Sequence, residues 1–259
     1  MPAEAIHLSA LHDTLTGAGA HAAALTSRPE LREAARLGAI FVDLPYFESF
    51  PLVLLRYVLH RPQRPSRWGD IFHQRTPVAV GRTLAEVGAQ LQRCAATRSE
   101  GEYLQALAVG YFSHAAVDTS AHPLINALSR ERAQRLGSTL GQEHQEVEKF
   151  QSILFHEQRF GFDFMGTETL RRHIAIDLRP LTAPGPIASA VHGVLLRCHG
   201  EAPGPARYHS WTSGYRSYVR ILVSPLGKTV APPAAKRRAR AELYDRVDFP
   251  QRFAAAVSQ

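Results

Sequence analysis

Three of the 13 histidines in this 259-residue chain stand four places before an acid: His114/Asp118, His144/Glu148 and His173/Asp177. Chance placement of 13 His and 23 acidic residues would give about one such pair. A four-residue step puts both side chains on one face of a helix. Borderline divalent metals take neutral imidazole and carboxylate at ~2.0–2.2 Å, so each pair can offer two ligands to one ion. The densest stretch is GYFSHAAVDTSAHP, residues 110–123, which strings His114, Asp118 and His122 along one stripe beside Tyr111 and Phe112. Polar groups in such apolar surroundings need a partner. Pro123 disfavours helical geometry at the residue before it, so the helix is expected to end or bend at His122 and let that side chain turn toward a neighbouring site. His173/Asp177 sits just before Arg179-Pro180 and reads as a local hydrogen bond at a helix end.

Single residues add to the set. Asp43 lies inside the apolar run AIFVDLP, residues 39–45, where a carboxylate must be paired, ligated or turned outward. His7 and His73 stand in IHL and IFHQ contexts. The remaining histidines read as ordinary surface or core residues. Only two Cys are present, so a Cys-rich zinc site is excluded and any metal must be held by His and carboxylates. Cys94 and Cys198 are expected to be two reduced, buried thiols. No Gly-x-Ser-x-Gly elbow or phosphate-binding Gly-rich loop occurs, which leaves no motif for a serine nucleophile or a P-loop.

The elements that must carry these residues read as helices almost throughout. Val80, Leu84, Val87, Leu91 and Cys94 recur at steps of three and four within 76–97, and Tyr103, Leu104, Leu107, Ala108, Tyr111, Phe112 and Ala115 do so within 100–119. Further helices are predicted over 28–40, with Ser27 as cap and Pro29 in the first turn, and over 138–157, 186–198, 208–222 and 236–257. Thr76 is a second capping candidate. Pro- and Gly-rich stretches at 60–67, 183–186, 201–206 and 224–234 mark loops. Hairpin turn signals are absent, so the expected architecture is all-α: one multi-helix domain over 1–259.

Apolar residues make up 45% and charged residues 20%, enough for a filled core and too apolar for a disordered chain. The net charge of +7 suits a phosphate-bearing partner. The short basic run Lys236–Arg240 reads as a solvated helix start. No secretory leader and no apolar run of ~20 residues is seen, which predicts a cytoplasmic protein without a transmembrane segment.

Taken in order, His7, the Asp43 segment, the His73 segment, the 110–123 string and His144-x3-Glu148 resemble the zinc-dependent phospholipase C family, and more distantly the P1/S1-type nucleases. The resemblance covers about residues 4–157, with additional helices over 158–259. It implies an all-α fold enclosing a metal-cluster cleft with two or three zinc ions. Asp43, His73, His114 and Asp118 would hold one zinc; His122, His144 and Glu148 a second; Asp118 would bridge to a third completed by His7. The secreted members ligate the third zinc through the mature N-terminal residue, whereas here Met1-Pro2 precedes His7 closely. The step from Asp118 to His122 is also shorter than in those phospholipases. Asp43 could further serve as general base toward a water. Tyr46, Phe47, Phe50 and Tyr57 either line the cleft or form a core cluster, and Glu48 is a candidate head-group contact. The implied activity is phosphodiester hydrolysis of a phospholipid, with peripheral membrane contact. The alternatives are a nuclease or nucleotidase acting on nucleic acid, and a non-catalytic helical protein stabilised by metal.

Overall fold

Proline is the first residue of four of the described helices, at Pro29, Pro77, Pro186 and Pro205. Its fixed φ suits a first turn, and its missing N–H removes a donor that would lack a helical partner there. The computed structural model describes residues 3–58, 66–74, 77–160, 166–227, 237 and 241–242. The helices are α1 (Ala3–Gly17), α2 (Ala23–Ser27), α3 (Pro29–Phe41), α4 (Phe50–Val58), α5 (Arg67–Gln74), α6 (Pro77–Gln92), α7 (Arg98–Leu136), α8 (Leu140–Phe160), α9 (Glu168–Ile174), α10 (Arg179–Thr182), α11 (Pro186–His199) and α12 (Pro205–Leu222). Short 3-10 turns occupy Gly19–Ala22, Leu44–Phe47 and Ala95–Thr97. Among the described residues there is no strand, so the fold is all-α. No described helix is long and apolar enough to cross a membrane.

The chain divides into two compact units. One takes in residues 7–115 and 175–218, the other 1–6, 116–174 and 219–259.

In the first unit α3 is hidden over most of its length: Leu31, Ala34, Ala35, Leu37, Gly38, Ala39, Ile40 and Phe41 are all buried. Its small residues let it touch α7 backbone to backbone. A Cβ on Gly38 would lie 2.0 Å from the Leu107 carbonyl oxygen, and one on Gly110 would lie 1.8 Å from that of Ala35. Only glycine fits at both positions. Beyond α3 an aromatic layer closes the core: Phe41 stacks on Phe72, Phe72 meets Trp211 edge-on, and Phe47 lies between Tyr215 and Tyr218. Such edge-to-face and offset pairs suit the ring quadrupoles. Phe47 and Phe50 are therefore core residues, while the side chain of Tyr57 lies outside the described set.

In the second unit the later part of α7 packs on α8 through Leu124, Ile125, Leu128, Val147, Phe150 and Leu154. This corrects the expected helix end at His122, since α7 runs on through Pro123 to Leu136. An internal proline costs about 3 kcal/mol. Burying Leu124, Ile125 and Leu128 recovers ~1.5–3 kcal/mol each, so continuing the helix wins. The α7–α8 turn is fastened by Arg132, whose Nε donates to Glu143 Oε2 at 2.7 Å, and by Ser138 Oγ, which donates to Glu143 Oε1 at 2.6 Å. Arg132 and Arg135 both also pair with Glu242.

Other expectations shift locally. Arg28, not Ser27, precedes α3, and no side chain caps that helix. Cys94 is exposed rather than buried, and Cys198 is half-buried with its thiol 3.4 Å from Thr83 Oγ1; neither is in a disulfide. His173 and Asp177 take other partners. Asp177 accepts from the Arg179 backbone N–H and guanidinium, and His173 Nε2 lies 3.1 Å from the Ala5 carbonyl oxygen. Thr76, the helix expected over 236–257 and the Lys236–Arg240 run lie outside the described residues, Arg237 and 241–242 excepted.

The α3–α7 crossing makes an unequal pair of glycines. Gly110→Ala should destabilise the protein by about 2 kcal/mol and lower Tm by roughly 5 °C, because a methyl meets rigid backbone. Gly193→Ala, inside α11 with nothing within 4 Å of the added carbon, should hold or raise Tm. Equal thermal unfolding of the two variants would refute the crossing.

Candidate metal centre

The first cluster forms in the first unit from four elements. Gly110 against α3 sets His114, one turn later on α7, beside the end of α3. There His114 Nδ1 lies 2.8 Å from the Ala39 carbonyl oxygen. Asp43 comes one turn after Ala39, where α3 has ended and the Leu44–Phe47 turn begins. Its Oδ2 lies 4.0 Å from His114 Nδ1 and 3.9 Å from His7 Nε2, and its Oδ1 lies 3.2 Å from His73 Nε2. His7, from α1, stacks on His114 with ring centroids 3.9 Å apart. His73 ends α5 and sets its Nδ1 2.8 Å from the Gly69 carbonyl oxygen. Gly69 matters here because a Cβ would strike the Tyr46 ring at 2.6 Å; the ring of Tyr46 also lies 5.5 Å from that of His73.

These contacts decide which imidazole nitrogen faces inward. A backbone carbonyl can only accept, so Nδ1 of His73 and of His114 each donates its proton, and Nε2 of the neutral ring carries a lone pair. In His73 that lone pair faces a carboxylate oxygen at 3.2 Å. Two lone pairs at that distance repel unless a proton or a metal ion lies between them. Metal-binding histidines are held in this way, with the other ring nitrogen donating to a carbonyl. Among the described residues Asp43 Oδ2 accepts no hydrogen bond and is fully shielded from solvent. Burial, the largest influence, pushes the Asp43 carboxyl up. The positive charge of His114, His73 and His7, when protonated, outweighs it and holds the group well below the usual carboxylate range. Protonating both His7 and His114 would set two buried cations face to face, and a divalent ion is an alternative source of positive charge beside Asp43.

The second cluster lies in the second unit. His122 Nε2 is 3.6 Å from Asp118 Oδ1, one turn back on α7, and His144 Nε2 is 3.1 Å from Glu148 Oε1 on α8. The His122 and His144 rings are 5.5 Å apart, edge to face. Burial, again the largest influence, pushes the Glu148 carboxyl up, but the His144 hydrogen bond and the charges of His144 and His122 bring it below its ordinary value.

Ligand spacing tests the fit. Two ~2.1 Å bonds at a tetrahedral angle set ligand atoms about 3.4 Å apart, whereas a charged N–H···O⁻ bond prefers ~2.7–2.9 Å. The separations of 3.2 and 3.6 Å lie nearer the first value, while His144 and Glu148 at 3.1 Å stand at a hydrogen-bond distance. Asp43, His73 and His114 form one group able to hold a metal ion, and His122, His144 and Glu148 another, with ligand atoms in each within 4.8 Å of one another. Of the eight sequence candidates, His7, Asp43, His73 and His114 thus share the first unit, and Asp118, His122, His144 and Glu148 the second. His7 sits against Asp43 and His114. Glu48, a head-group candidate, has its carboxylate engaged by Arg207 and Trp211 Nε1. The Ala39 and Gly69 carbonyls were not foreseen, although Gly69 lies one helical turn before His73.

No family model, curated protein or solved structure matches this chain.

Chelator-treated protein titrated with Zn²⁺ should take up about one equivalent per cluster, with affinity falling as pH drops from 7.5 to 5.5 because the imidazoles must be neutral to bind. His73→Ala should remove one equivalent and His144→Ala the other. Uptake below half an equivalent, or uptake untouched by both substitutions, would show that the histidines serve only one another.

Proposed function

We propose that this chain is a zinc-dependent phosphoric ester hydrolase of the phospholipase C type, cleaving the phosphodiester of a phospholipid. The observation that carries this reading is the aim of the imidazoles: Nδ1 of His73 and His114 tied to backbone carbonyls, and Nε2 of His73 turned toward the Asp43 carboxylate. Asp43, His73 and His114 would hold one zinc, with His7 stacked behind His114; His122, His144 and Glu148 would hold another, with Asp118 beside them.

Bound divalent cations supply Lewis acidity, lowering the pKa of a water toward neutrality and offsetting charge on phosphate oxygens. The chain's own groups set where that charge is felt. One carboxylate among three neutral imidazoles leaves the loaded first cluster with one net positive charge. Two carboxylates with two imidazoles leave the loaded second cluster neutral. The first therefore attracts a singly charged phosphodiester. In this reading Asp43 also orients the attacking water as general base. Such a reaction needs no covalent nucleophile.

The test is a substrate panel of short-chain phosphatidylcholine, bis-p-nitrophenyl phosphate and single-stranded DNA, run on zinc-loaded protein. The lipid diester should be cleaved, and Asp43→Asn should lower kcat by at least about 100-fold. Cleavage of DNA alone would move the assignment to a nuclease. No cleavage of any substrate by fully loaded protein would leave a metal-stabilised helical protein.

A further inference from the structure

The helix that follows the Asp43 turn shows solvent an apolar face. On α4, Pro51, Leu52 and Leu55 are exposed, the leucines at 58% and 53%. Steps of three and four place them on one side of the helix. The mount beneath them is rigid. Phe50 is buried against Phe47 and Tyr218. Ser49 holds φ at 58°, a left-handed conformation that a non-glycine residue keeps only where its surroundings enforce it. Its neighbours supply that enforcement: Glu48 is held by Arg207 and Trp211, and Phe50 by the aromatic layer. The face is thus turned outward by construction.

Its position and charge indicate what covers it. α4 packs on the Leu44–Phe47 turn, which also carries Tyr46 beside His73. Those are the more open side chains at the first cluster, where His7 and His114 are buried. From Pro51 to the residue before Asp70 the sequence holds Arg56, Arg61, Arg64 and Arg67 and no acid, with Arg67 paired to Glu201. Apolar side chains flanked by arginine suit the boundary between acyl chains and anionic head groups. Three side chains fall far short of the ~800 Å² per partner that a stable protein pair buries.

We propose that Pro51, Leu52 and Leu55 of α4 dock the protein on an anionic phospholipid bilayer, turning the Tyr46–His73 edge of the first cluster toward the head groups. The choice of a bilayer rests on the phospholipid reading above.

Sedimentation with large unilamellar vesicles of phosphatidylcholine and phosphatidylglycerol (7:3) tests it, using the zinc-loaded full chain. Leu52→Gln/Leu55→Gln should lower vesicle partitioning at least about tenfold, with Tm, zinc content and turnover of soluble bis-p-nitrophenyl phosphate unchanged. Arg56→Gln should weaken binding to these vesicles and leave binding to pure phosphatidylcholine as it was. Absent partitioning of the parent protein, partitioning unaffected by the leucine changes, or a solution dimer abolished by them would each overturn the proposal. Docking without diester cleavage would keep the surface and discard the hydrolase; cleavage with partitioning insensitive to the leucines would do the reverse.

Discussion

The backbone contact between α3 and α7 is the constraint on which the first cluster rests. Gly38 faces Leu107 and Tyr111, while Gly110 faces Ala35 and Ala39. One residue beyond Gly38 the Ala39 carbonyl receives His114 Nδ1, and one turn beyond Ala39 the chain delivers Asp43. The partner, His114, is itself one turn beyond Gly110. Side-chain methyl groups at the crossing would part the helices by more than the ~0.5 Å that a ligand set tolerates. The position of a buried carboxylate among imidazoles is therefore decided by residues that have no side chain.

The second cluster is held by other means. Its ligands come from consecutive helices whose register is fixed by the Leu124–Leu154 apolar seam and by a nearly buried Arg132. Arg132 lies over the Phe150 ring and satisfies its guanidinium on Glu143 and Glu242. Breaking one partner of a buried pair leaves a charge uncompensated, which is far more costly than the pair is stabilising. His144 directly follows Glu143, so the anchor that positions the turn also positions a candidate ligand.

Much of this was legible in the residues. The Pro29 and Pro77 starts located α3 and α6, and the three-and-four apolar spacing located α6 and the first half of α7, since both signals are local; Pro205 read as loop although it opens α12. The His-x3-acid rhythm located His144/Glu148 for the same reason. It failed at His173/Asp177, where Arg179 offered a charge-assisted partner only two residues away. Pro123 was misread because a local penalty was weighed without the packing of Leu124, Ile125 and Leu128 that outweighs it. Gly110 stood in plain view within residues 110–123, yet its meaning needs Ala35, 75 residues earlier, and no local pattern supplies that. Ser49 had no signal at all: its left-handed backbone is imposed by neighbours tied to α12.

The two clusters differ in how deeply they are sunk. His114 and His7 are buried at 1% and 3%, whereas the His122 and Glu148 side chains are 37% and 24% exposed. An ion at the first cluster would meet solvent only along the edge made by His73 and Tyr46, at 20% and 36% exposure, so it would exchange slowly. An ion at the second cluster would exchange more freely. One chain would then hold two cations that answer on different timescales to the free metal around it.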